Sequence, residues 1–333
     1  MTTAEQAPTI AVTGATGFTG GALARRLVAD GYRVRALTRR EPTEEERAAG
    51  IEWIVGGLTD PIALSALVRD ADTVFHVAAM YRTEGPREEF LEVNRDSTQL
   101  LLDTSRAAAV RRLVYCSSIG VHGSVDATPS DEDAPLSPRD PYQESKLLAE
   151  ELCRAAMQQP GLEVVIIRPC AIYGPGDTRM LKIFRMVQRG HFVFVGSGSP
   201  NFHPVYIDDL VDGFLLAMTS DNAPGSTFII GAQDYLPLRD YVGMAAKVLG
   251  VRAPSIRVPY GIMNLSAHMC EMLCAPLGIQ PPLHRRRLTF YKHNRAFSIA
   301  RAQRQLGFAP RVGLEEGFTK TVAWYREQGM LRA

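Results

Sequence analysis

Three glycines near the start of the chain restrict its fold more than any other feature. Gly14, Gly17 and Gly20 follow directly on the apolar segment Thr9–Val12, a predicted strand, and open a stretch whose leucines recur at helical spacing. A pyrophosphate binds where unblocked backbone N–H groups meet at the N-terminus of a helix, and glycine lets the backbone approach it without a Cβ collision. The order of strand, glycine turn and helix therefore predicts a phosphate-binding turn at the edge of a sheet.

Short apolar runs alternate with longer amphipathic stretches through the first half of the chain. The predicted strands are TIAVTG, YRVRALT, IEWIV, DTVFHVAA, RRLVYCSS and EVVIIRP, and two of the intervening helices are predicted at Glu89–Ala109 and Tyr142–Gln158. Strands at crossover spacing with helices between them form a parallel sheet that is covered on both faces. We therefore predict an α/β fold with a Rossmann-type, doubly wound parallel sheet whose glycine turn holds a dinucleotide.

After Pro169 the regular alternation gives way to segments rich in Gly and Pro, such as YGPGD and VGSGSPNFHP. This change predicts excursions that build a second lobe, interleaved with segments that return to the sheet. The expected division is a dinucleotide-binding domain at 1–170, rejoined by about 205–231, and a smaller C-terminal substrate-binding lobe mainly at 171–204 and 232–333.

The charge balance restricts the partners of the chain. Its 333 residues include 37 Lys and Arg against 36 Asp and Glu, a formal net charge of +1. A surface without a dominant sign does not attract nucleic acid over its whole area, so we expect a small-molecule substrate and no nucleic-acid partner. No segment reaches the ~18 uninterrupted apolar residues of a membrane span, and the N-terminal segment lacks the features of a signal peptide. We therefore expect a cytoplasmic protein without a membrane span.

The cysteines are odd in number, scattered, and without the paired spacing of a zinc site. They are Cys116, Cys153, Cys170, Cys270 and Cys274. Cys270 and Cys274 stand one helical turn apart, but no second pair of Cys or His lies nearby in the sequence to complete four ligands. We expect reduced structural thiols and no metal site.

A long stretch at 258–283 is almost free of charge. Its only formal charge is Glu271, and four apolar residues recur at steps of three and four. These residues are Ile262, Leu265, Met269 and Met272. The pattern favours a helix packed on the core, with a lid over an apolar substrate and contact with a membrane surface as alternatives.

The end of the second predicted strand, Arg33–Leu37, bears on which dinucleotide binds. An enzyme selective for NAD normally places Asp or Glu there to accept hydrogen bonds from the ribose 2′-hydroxyl. This chain has Thr38, Arg39 and Arg40 instead. A guanidinium favours a 2′-phosphate by its charge and its bidentate geometry, so we expect NADP(H) to be preferred, with NAD(H) as the alternative.

Tyr142 and Lys146 are four residues apart at the start of a predicted helix, so both project from one face. A tyrosine with a pKa of ~10 is a poor base at neutral pH, and a nearby ammonium lowers that pKa. Ser118 follows the strand RRLVYCSS and therefore lies at the carboxyl edge of the sheet, where open α/β folds bind their ligands. Its hydroxyl can bind a substrate oxygen while Tyr142 moves a proton, whereas Ser117 is expected to cap the strand end.

Five segments in a fixed order carry a resemblance to a known family. They are TGATGFTG, FHVAA at Phe75–Ala79, YCSSIGVHG, the Tyr142-x-x-x-Lys146 pair and RPCAIYGPGD. Together they are similar to the extended short-chain dehydrogenase/reductase superfamily, also called the NAD-dependent epimerase/dehydratase family, over nearly the whole chain. One departure is Gly56-Gly57-Leu58, where the family often has Gly-Asp-Leu beside the adenine, and Asp60 is not a convincing replacement.

The resemblance implies roles for individual residues. Ser118, Tyr142 and Lys146 would form the catalytic triad, with Tyr142 as the acid/base and Lys146 also holding the nicotinamide ribose. Asn94 matches a helix asparagine that helps to anchor the lysine through water. The other implied cofactor-binding residues are Gly14, Thr16, Gly17, Phe18 and Gly20 at the pyrophosphate, Ala78 and Ala79 at the nicotinamide-side ribose, and Arg168, Pro169 and Cys170 over the nicotinamide.

The family divides between enzymes of nucleotide sugars and oxidoreductases of apolar alcohols and ketones. The sugar enzymes commonly have an arginine for the substrate diphosphate just before the segment that reads VYIDD here, where this chain has Phe202-His203-Pro204. Losing that cation weakens diphosphate binding, unless Arg285–Arg287 supply the charge from elsewhere. The apolar stretch at 258–283 and the ending SIARAQRQLGFAP resemble the steroid-dehydrogenase and carbonyl-reductase side.

We therefore favour reversible hydride transfer at a secondary alcohol or ketone of a fairly apolar, sterol-like or polycyclic molecule. A nucleotide-sugar 4-epimerase is the alternative, and a non-catalytic dinucleotide sensor is a remote one. By analogy with relatives, the helices at Glu89–Ala109 and Tyr142–Gln158 are expected to form the contact of a homodimer.

Overall fold

The fold is a parallel sheet covered by helices, as a computed structural model shows. The structure describes residues 7–81, 85–125, 127–274, 276, 279, 283, 288, 291 and 293–332. The strands of the described residues are β1 (Thr9–Thr13), β2 (Arg33–Thr38), β3 (Ile51–Val55), β4 (Ala71–His76), β5 (Arg112–Cys116), β6 (Glu163–Pro169), β7 (Ala171–Tyr173), β8 (Phe194–Val195), β9 (Asn201–Phe202), β10 (Pro204–Tyr206), β11 (Thr227–Ile230), β12 (Leu236–Pro237) and β13 (Arg257–Val258).

Helices connect and cover these strands. The α-helices within the described residues are α1 (Phe18–Ala29), α2 (Glu44–Ala48), α3 (Pro61–Val68), α4 (Arg87–Phe90), α5 (Ser97–Ala107), α6 (Pro141–Met157), α7 (Leu181–Gln188), α8 (Ile207–Thr219), α9 (Leu238–Leu249), α10 (Tyr260–Cys274), α11 (Ala300–Leu306) and α12 (Leu314–Glu327). A π-helical segment at Leu91–Asp96 joins α4 to α5, and a 3₁₀ turn at Ile119–His122 follows β5.

Seven strands form the main sheet in the order β11-β6-β5-β4-β1-β2-β3, and every neighbouring pair is parallel. The strand order reverses beside β1, which creates the crevice where such folds bind ligands at the carboxyl ends of the strands. The predicted Rossmann-type doubly wound sheet is confirmed. The last strand, β11, comes from far along the chain and pairs with β6 at one edge.

Each central strand contributes to apolar clusters on both faces of the sheet, because successive side chains point in opposite directions. In β6, Val165 and Ile167 belong to one buried cluster, while Val164 and Ile166 belong to the other. Strands that are buried on both faces explain why EVVIIRP reads as a continuous apolar run rather than as an alternating one.

The helical run predicted at Glu89–Ala109 is interrupted by the π-helical segment at Leu91–Asp96. A π-turn adds one residue to a helical turn and often occurs at functional sites. The apolar pattern did not indicate it. The segment carries Asn94, whose side chain is buried and directed towards α6, as described below.

The prediction that the helix at 258–283 packs its apolar stripe on the core is wrong for α10. Ile262, Leu265, Met269 and Met272 are between 52% and 60% exposed, and the buried side chain in this helix is the small Ala267. An apolar stripe indicates an amphipathic helix but not the direction in which the stripe points. Among the residues that the structure describes, no helix is long and apolar enough to cross a membrane.

Candidate active site

Thr13 joins the carboxyl ends of two central strands. Its Oγ1 accepts hydrogen bonds from the backbone N–H groups of Val77 and Ala78, both at 3.1 Å, and lies 2.9 Å from Nδ1 of His76. These contacts hold the start of the loop after β4 beside the glycine turn that follows β1. The structure thereby places Ala78, which was assigned to the nicotinamide-side ribose, next to Gly14, which was assigned to the pyrophosphate.

The three glycines have different local surroundings. Gly14 has φ +78°, and a Cβ there would lie 2.8 Å from the backbone nitrogen of Ala78. A Cβ on Gly20 would overlap the carbonyl oxygen of Gly14, so this position requires glycine if α1 is to start so close to the turn. Gly17 is different, because its Cβ position faces no atom nearer than the Gly14 oxygen at 3.3 Å, and it is exposed together with Thr16.

The start of α1 fits a phosphate group. Gly17 is its N-cap residue and offers no side-chain hydrogen bond, and the first turn contains no acidic residue. The first N–H groups of a helix lack intrahelical partners and carry partial positive charge. Phe18 is the first residue of this helix, and its ring lies against Gly176 and below the guanidinium of Arg179. The turn therefore has the open N–H groups and the backbone access that a dinucleotide pyrophosphate needs.

The two arginines after β2 are in different situations. Arg40 donates to both carboxylate oxygens of Glu46 at 2.8 Å, and Glu46 itself forms a capping box with Thr43 at the start of α2. Arg39 is exposed, and no such ion pair holds it within the described part of the chain. At the adenine end, Asp60 caps α3 by accepting from the N–H groups of Ile62 and Ala63. Its carboxylate is thus engaged in the helix cap.

Ser118 and Tyr142 meet at the carboxyl edge of the sheet. Ser118 Oγ accepts from the N–H of Gly120 at 3.0 Å and so caps the 3₁₀ turn, and it lies close enough to Tyr142 to affect the pKa of that phenol. Tyr142 is the second residue of α6, whose N-terminus is capped by Asp140. The Tyr142 ring makes an edge contact with Tyr81 at a centroid distance of 4.7 Å. The serine and the tyrosine thus lie close together, as expected, while their catalytic roles stay predictions.

The lowered phenol pKa expected from the Tyr142–Lys146 spacing is not a property of this structure. Burial raises the pKa of Tyr142 above its usual value, and Tyr81 and Cys116 raise it further. The polar side chain of Ser118 and the charge of Arg179 lower the pKa of Tyr142, but by less. The spacing of Tyr142 and Lys146 placed both side chains on one helix face, but it gave no measure of the desolvation, which outweighs the attraction of Arg179.

Lys146 is fully buried on α6. Its Nζ lies over the ring of Tyr115 at 4.2 Å from the ring centroid, so the ammonium has a cation–π contact with a residue of β5. Burial lowers the pKa of Lys146 to about 8, although the nearby Cys116, Cys153 and Glu150 favour the charged form. The charge of this lysine therefore changes close to physiological pH.

This shift makes the stability of the protein depend on pH. Between pH 8 and the ordinary lysine value of ~10.4, the unfolded chain binds a proton at this site that the folded chain has released. We expect the free energy of unfolding to rise with pH in this window, by up to about 1.4 kcal/mol per pH unit. Below pH 8 the lysine is protonated in both the folded and the unfolded chain, so it adds no pH dependence to the free energy of unfolding there.

Urea unfolding at pH 7.0, 8.5 and 9.5 measures the free energy of unfolding of the wild type and of Lys146→Met. The rise of this free energy with pH should be smaller in Lys146→Met. The exposed Lys182 provides a matched control, and Lys182→Met should keep the wild-type slope. Equal slopes for Lys146→Met and the wild type would contradict the assignment.

Asn94 connects the π-helical segment to α6. Its side chain binds both backbone groups of Met80, accepting from N at 2.7 Å and donating to O at 3.1 Å. Its Nδ2 also donates to Ser145 Oγ at 2.8 Å, and Ser145 in turn donates to the carbonyl of Tyr142. Asn94 thus holds the loop after β4 against the helix turn between Tyr142 and Lys146, and its link to Lys146 through water stays a prediction.

The segment Arg168–Cys170 ends β6. The guanidinium of Arg168 is turned away into a buried ion pair with Glu150 at 2.5 Å, while the backbone N–H of Cys170 donates to the carbonyl of Ile230 in β11. Pro169 and the Cys170 side chain are buried as well. The role of this segment over the nicotinamide stays a prediction, and it concerns the backbone rather than the Arg168 charge.

Three residues near the site were not predicted. Tyr115 lies under Lys146, Tyr81 lies against Tyr142, and Arg179 contacts Phe18 while bonding to Asp177 at 2.7 Å and to the Ile172 carbonyl at 3.0 Å. Tyr115 is the first residue of YCSSIGVHG, and Arg179 lies two residues after YGPGD. Their positions in or beside these segments could have indicated them. Tyr81 carries no such signal.

Arg285–Arg287 lie outside the described residues. Within the described ranges, no group of three or more His, Cys, Asp and Glu side chains is placed to hold a metal ion, and all five cysteines are unpaired. The arrangement that remains is a hydroxyl pair and a buried amine on one side of the crevice, with an anion-binding helix N-terminus on the other.

Comparisons with known proteins agree with this arrangement. A model of the NAD dependent epimerase/dehydratase family matches residues 10–231. A 3-beta-hydroxysteroid dehydrogenase of Mycolicibacterium neoaurum is 30% identical over 338 residues, covering 96% of this chain and 91% of that protein. The crystal structure of gox2253 has a TM-score of 0.82 at 30% identity, covering 98% and 99% of the two chains. MoeE5 in complex with UDP-glucuronic acid and NAD has a TM-score of 0.76 at 26% identity, covering 96% and 99%.

Proposed function

Because the chain belongs to the NAD-dependent epimerase/dehydratase family, we propose that it is an NAD(P)-dependent oxidoreductase acting reversibly at a secondary alcohol or ketone of a fairly apolar, sterol-like molecule. The observation that carries the proposal is the position of Ser118 at the end of β5 and of Tyr142 at the start of α6, with Lys146 one turn further along the same helix and the glycine turn across the crevice. These positions fit a proton-transfer pair beside a dinucleotide.

In this proposal each residue of the site has a separate role. A bound nicotinamide dinucleotide would supply or accept the hydride. The open N–H groups at the start of α1 hold its pyrophosphate. Ser118 binds the substrate oxygen, Tyr142 gives a proton to that oxygen or removes one from it, and the Lys146 ammonium stabilises the phenolate that forms. The full burial of Lys146 and the partial burial of Tyr142 strengthen these interactions because water competes less for them.

His203 stands at the position where sugar enzymes commonly carry an arginine, and its surroundings bear on the identity of the substrate. His203 is 1% exposed, its Nε2 lies 2.8 Å from the carbonyl oxygen of Ala232, and its Nδ1 lies 3.3 Å from the N–H of Phe297. Burial also lowers its pKa. A buried, neutral histidine with both ring nitrogens engaged supplies no charge for a diphosphate, which favours an uncharged substrate over a nucleotide sugar.

A substrate panel tests the proposal. The purified protein is incubated with NAD⁺ or NADP⁺ and dehydroepiandrosterone as a 3β-hydroxysteroid probe, and with UDP-glucuronic acid as a nucleotide-sugar probe. We expect net reduction of the nicotinamide, read at 340 nm, with the steroid only. Interconversion of the UDP-sugar without net change of cofactor would support the 4-epimerase instead, and MoeE5 makes that the second candidate.

Arg39 is the residue on which we base the proposed preference for NADP(H). Since Arg40 is already paired with Glu46, we expect Arg39→Ala to raise KM for NADP⁺ about tenfold or more, as expected for a lost charged hydrogen bond, and to change KM for NAD⁺ less than twofold. Arg40→Ala is the matched control and should have the smaller effect on NADP⁺. A preference for NAD⁺ that Arg39→Ala leaves unchanged would refute the assignment.

We also propose that the protein forms a homodimer through α5 and α6, as expected from relatives. The two helices lie side by side on one face of the sheet. A second copy packing on them would form a four-helix contact next to the helix that carries Tyr142 and Lys146. Light scattering tests this, because a dimer has twice the chain mass of 36.6 kDa.

A further inference from the structure

A buried charge cluster lies directly behind the candidate active site. Glu150 in α6 is completely buried, and both of its carboxylate oxygens accept hydrogen bonds. Its Oε2 accepts from Ser117 Oγ at 2.7 Å and from Arg168 Nε at 3.1 Å, while its Oε1 accepts from Arg168 Nη2 at 2.5 Å. The sequence did not indicate Glu150, since a glutamate in an amphipathic helix is ordinarily solvated.

The cluster extends from Glu150 to the loops around the crevice. Arg168 is also completely buried, and its Nη1 donates to His122 Nε2 at 2.9 Å and to the carbonyl of Glu132 at 2.8 Å. His122 ends the 3₁₀ turn that Ser118 caps. The guanidinium therefore contacts α6, the 3₁₀ turn that follows β5 and the segment that contains Glu132.

The neighbours of the cluster in the chain are the residues of the proposed mechanism. Glu150 stands one helical turn after Lys146 and two turns after Tyr142. Ser117 immediately precedes Ser118, and Arg168 immediately precedes Pro169 and Cys170. One carboxylate thus joins α6 to the ends of β5 and β6, so a shift of any of these elements has to stretch a buried, charged hydrogen bond.

Stability alone does not explain such a cluster. Two charges removed from water lose hydration that their mutual attraction only partly restores, and well-packed apolar side chains often replace a buried ion pair without loss of stability. What a buried ion pair does supply is resistance to relative movement of its elements, because breaking one of its charged hydrogen bonds leaves a buried charge without its partner, which is costly.

On these grounds we infer that Glu150, acting through Ser117 and Arg168, is a positioning residue that sets Ser118 at the correct distance from Tyr142 and Lys146. The inference rests on the proposed function. The hydroxyl of Ser117 is the direct connection, because it bonds to the α6 carboxylate while its backbone continues into Ser118. Misplacement of reacting groups by about 1 Å can cost a hundredfold in rate.

The test compares two variants that each remove one hydrogen bond to the same carboxylate. Ser117→Ala removes the bond on the site side, while Arg154→Ala removes the bond that Arg154 Nη2 donates to Glu150 Oε1 at 2.6 Å from the solvent side. We expect Ser117→Ala to lower kcat about tenfold with an unchanged Kd for NAD(P)H, and Arg154→Ala to change kcat less than twofold. Ser117→Thr, which keeps the hydroxyl, should recover most of the lost kcat.

A second measurement separates positioning from a general loss of structure. With a substrate deuterated at the carbinol carbon, the primary isotope effect on kcat should increase in Ser117→Ala, because hydride transfer becomes slower relative to product release. Glu150→Gln is expected to lower kcat about a hundredfold. If this variant fails to fold, the comparison of Ser117→Ala with Arg154→Ala still tests the inference. Equal kcat values and isotope effects for Ser117→Ala, Arg154→Ala and the wild type would overturn the inference, whereas a wild type without turnover would instead overturn the proposed function.

Discussion

Replacing Tyr142 by phenylalanine is expected to lower kcat by about 10³-fold and to change Kd for NAD(P)H less than threefold. The hydroxyl is the group that moves the proton in the proposed reaction, and general acid–base catalysis typically contributes 10²- to 10⁴-fold. The ring remains, so its edge contact with Tyr81 at 4.7 Å and the packing of α6 should be kept. The measurements are steady-state kinetics on the substrate found in the panel and fluorescence titration with NAD(P)H.

A matched control for this variant is Tyr241→Phe. The Tyr241 hydroxyl is buried in α9 and has no hydrogen-bond partner within the described residues. Removing it should leave kcat unchanged and leave the stability equal or slightly higher, because a buried polar group without a partner is destabilising. A Tyr142→Phe protein that turns over at the wild-type rate would show that the acid/base lies elsewhere.

Replacing Gly20 by alanine should have the largest effect on the fold. The added Cβ would overlap the Gly14 carbonyl oxygen, which is backbone and cannot move aside like a side chain. The start of α1 would have to move off the glycine turn, at a cost of about 3 kcal/mol. We therefore expect the midpoint of thermal unfolding to fall by roughly 4 °C and nucleotide affinity to fall about a hundredfold or more.

Gly243→Ala tests whether steric overlap is the cause. Gly243 lies inside α9, and a Cβ there would meet no atom within 4 Å. An alanine in a helix interior is favoured over glycine by about 1 kcal/mol, so this variant should be slightly more stable. Gly17→Ala should keep the fold and weaken nucleotide binding, because its Cβ would occupy the approach of the phosphate. A Gly20→Ala protein as stable as the wild type would contradict the close packing of α1 on the turn.

The features that the sequence predicted correctly are those that depend on local pattern and chain order. Strand and helix alternation predicts the parallel sheet, and the carboxyl ends of parallel strands meet at one edge, which is why Ser118 and Tyr142 were expected together. Thr13, by contrast, was not singled out. Its role depends on the distance between two strands that are far apart in the chain, which no local pattern contains.

The features that escaped prediction depend on burial. The four-residue spacing of Tyr142 and Lys146 placed both on one helix face, but the sign of the Tyr142 pKa shift depends on how much water the folded chain excludes. The same reason explains α10, where the pattern shows a stripe but not whether a second layer covers it. Glu150 and Arg168 were not recognised as a pair, because a buried charge is visible only when its partner is known.

The late arrival of β11 in the main sheet has a consequence for synthesis. A nascent chain completes β1–β6 well before Thr227–Ile230 leaves the ribosome, so β6 waits as an edge strand with unpaired N–H and C=O groups. Such an edge is a template for pairing with other chains and hence for aggregation. The edge of β6 therefore stays exposed until the chain has been made as far as β11, and a fragment that stops after β6 would keep that exposed edge permanently.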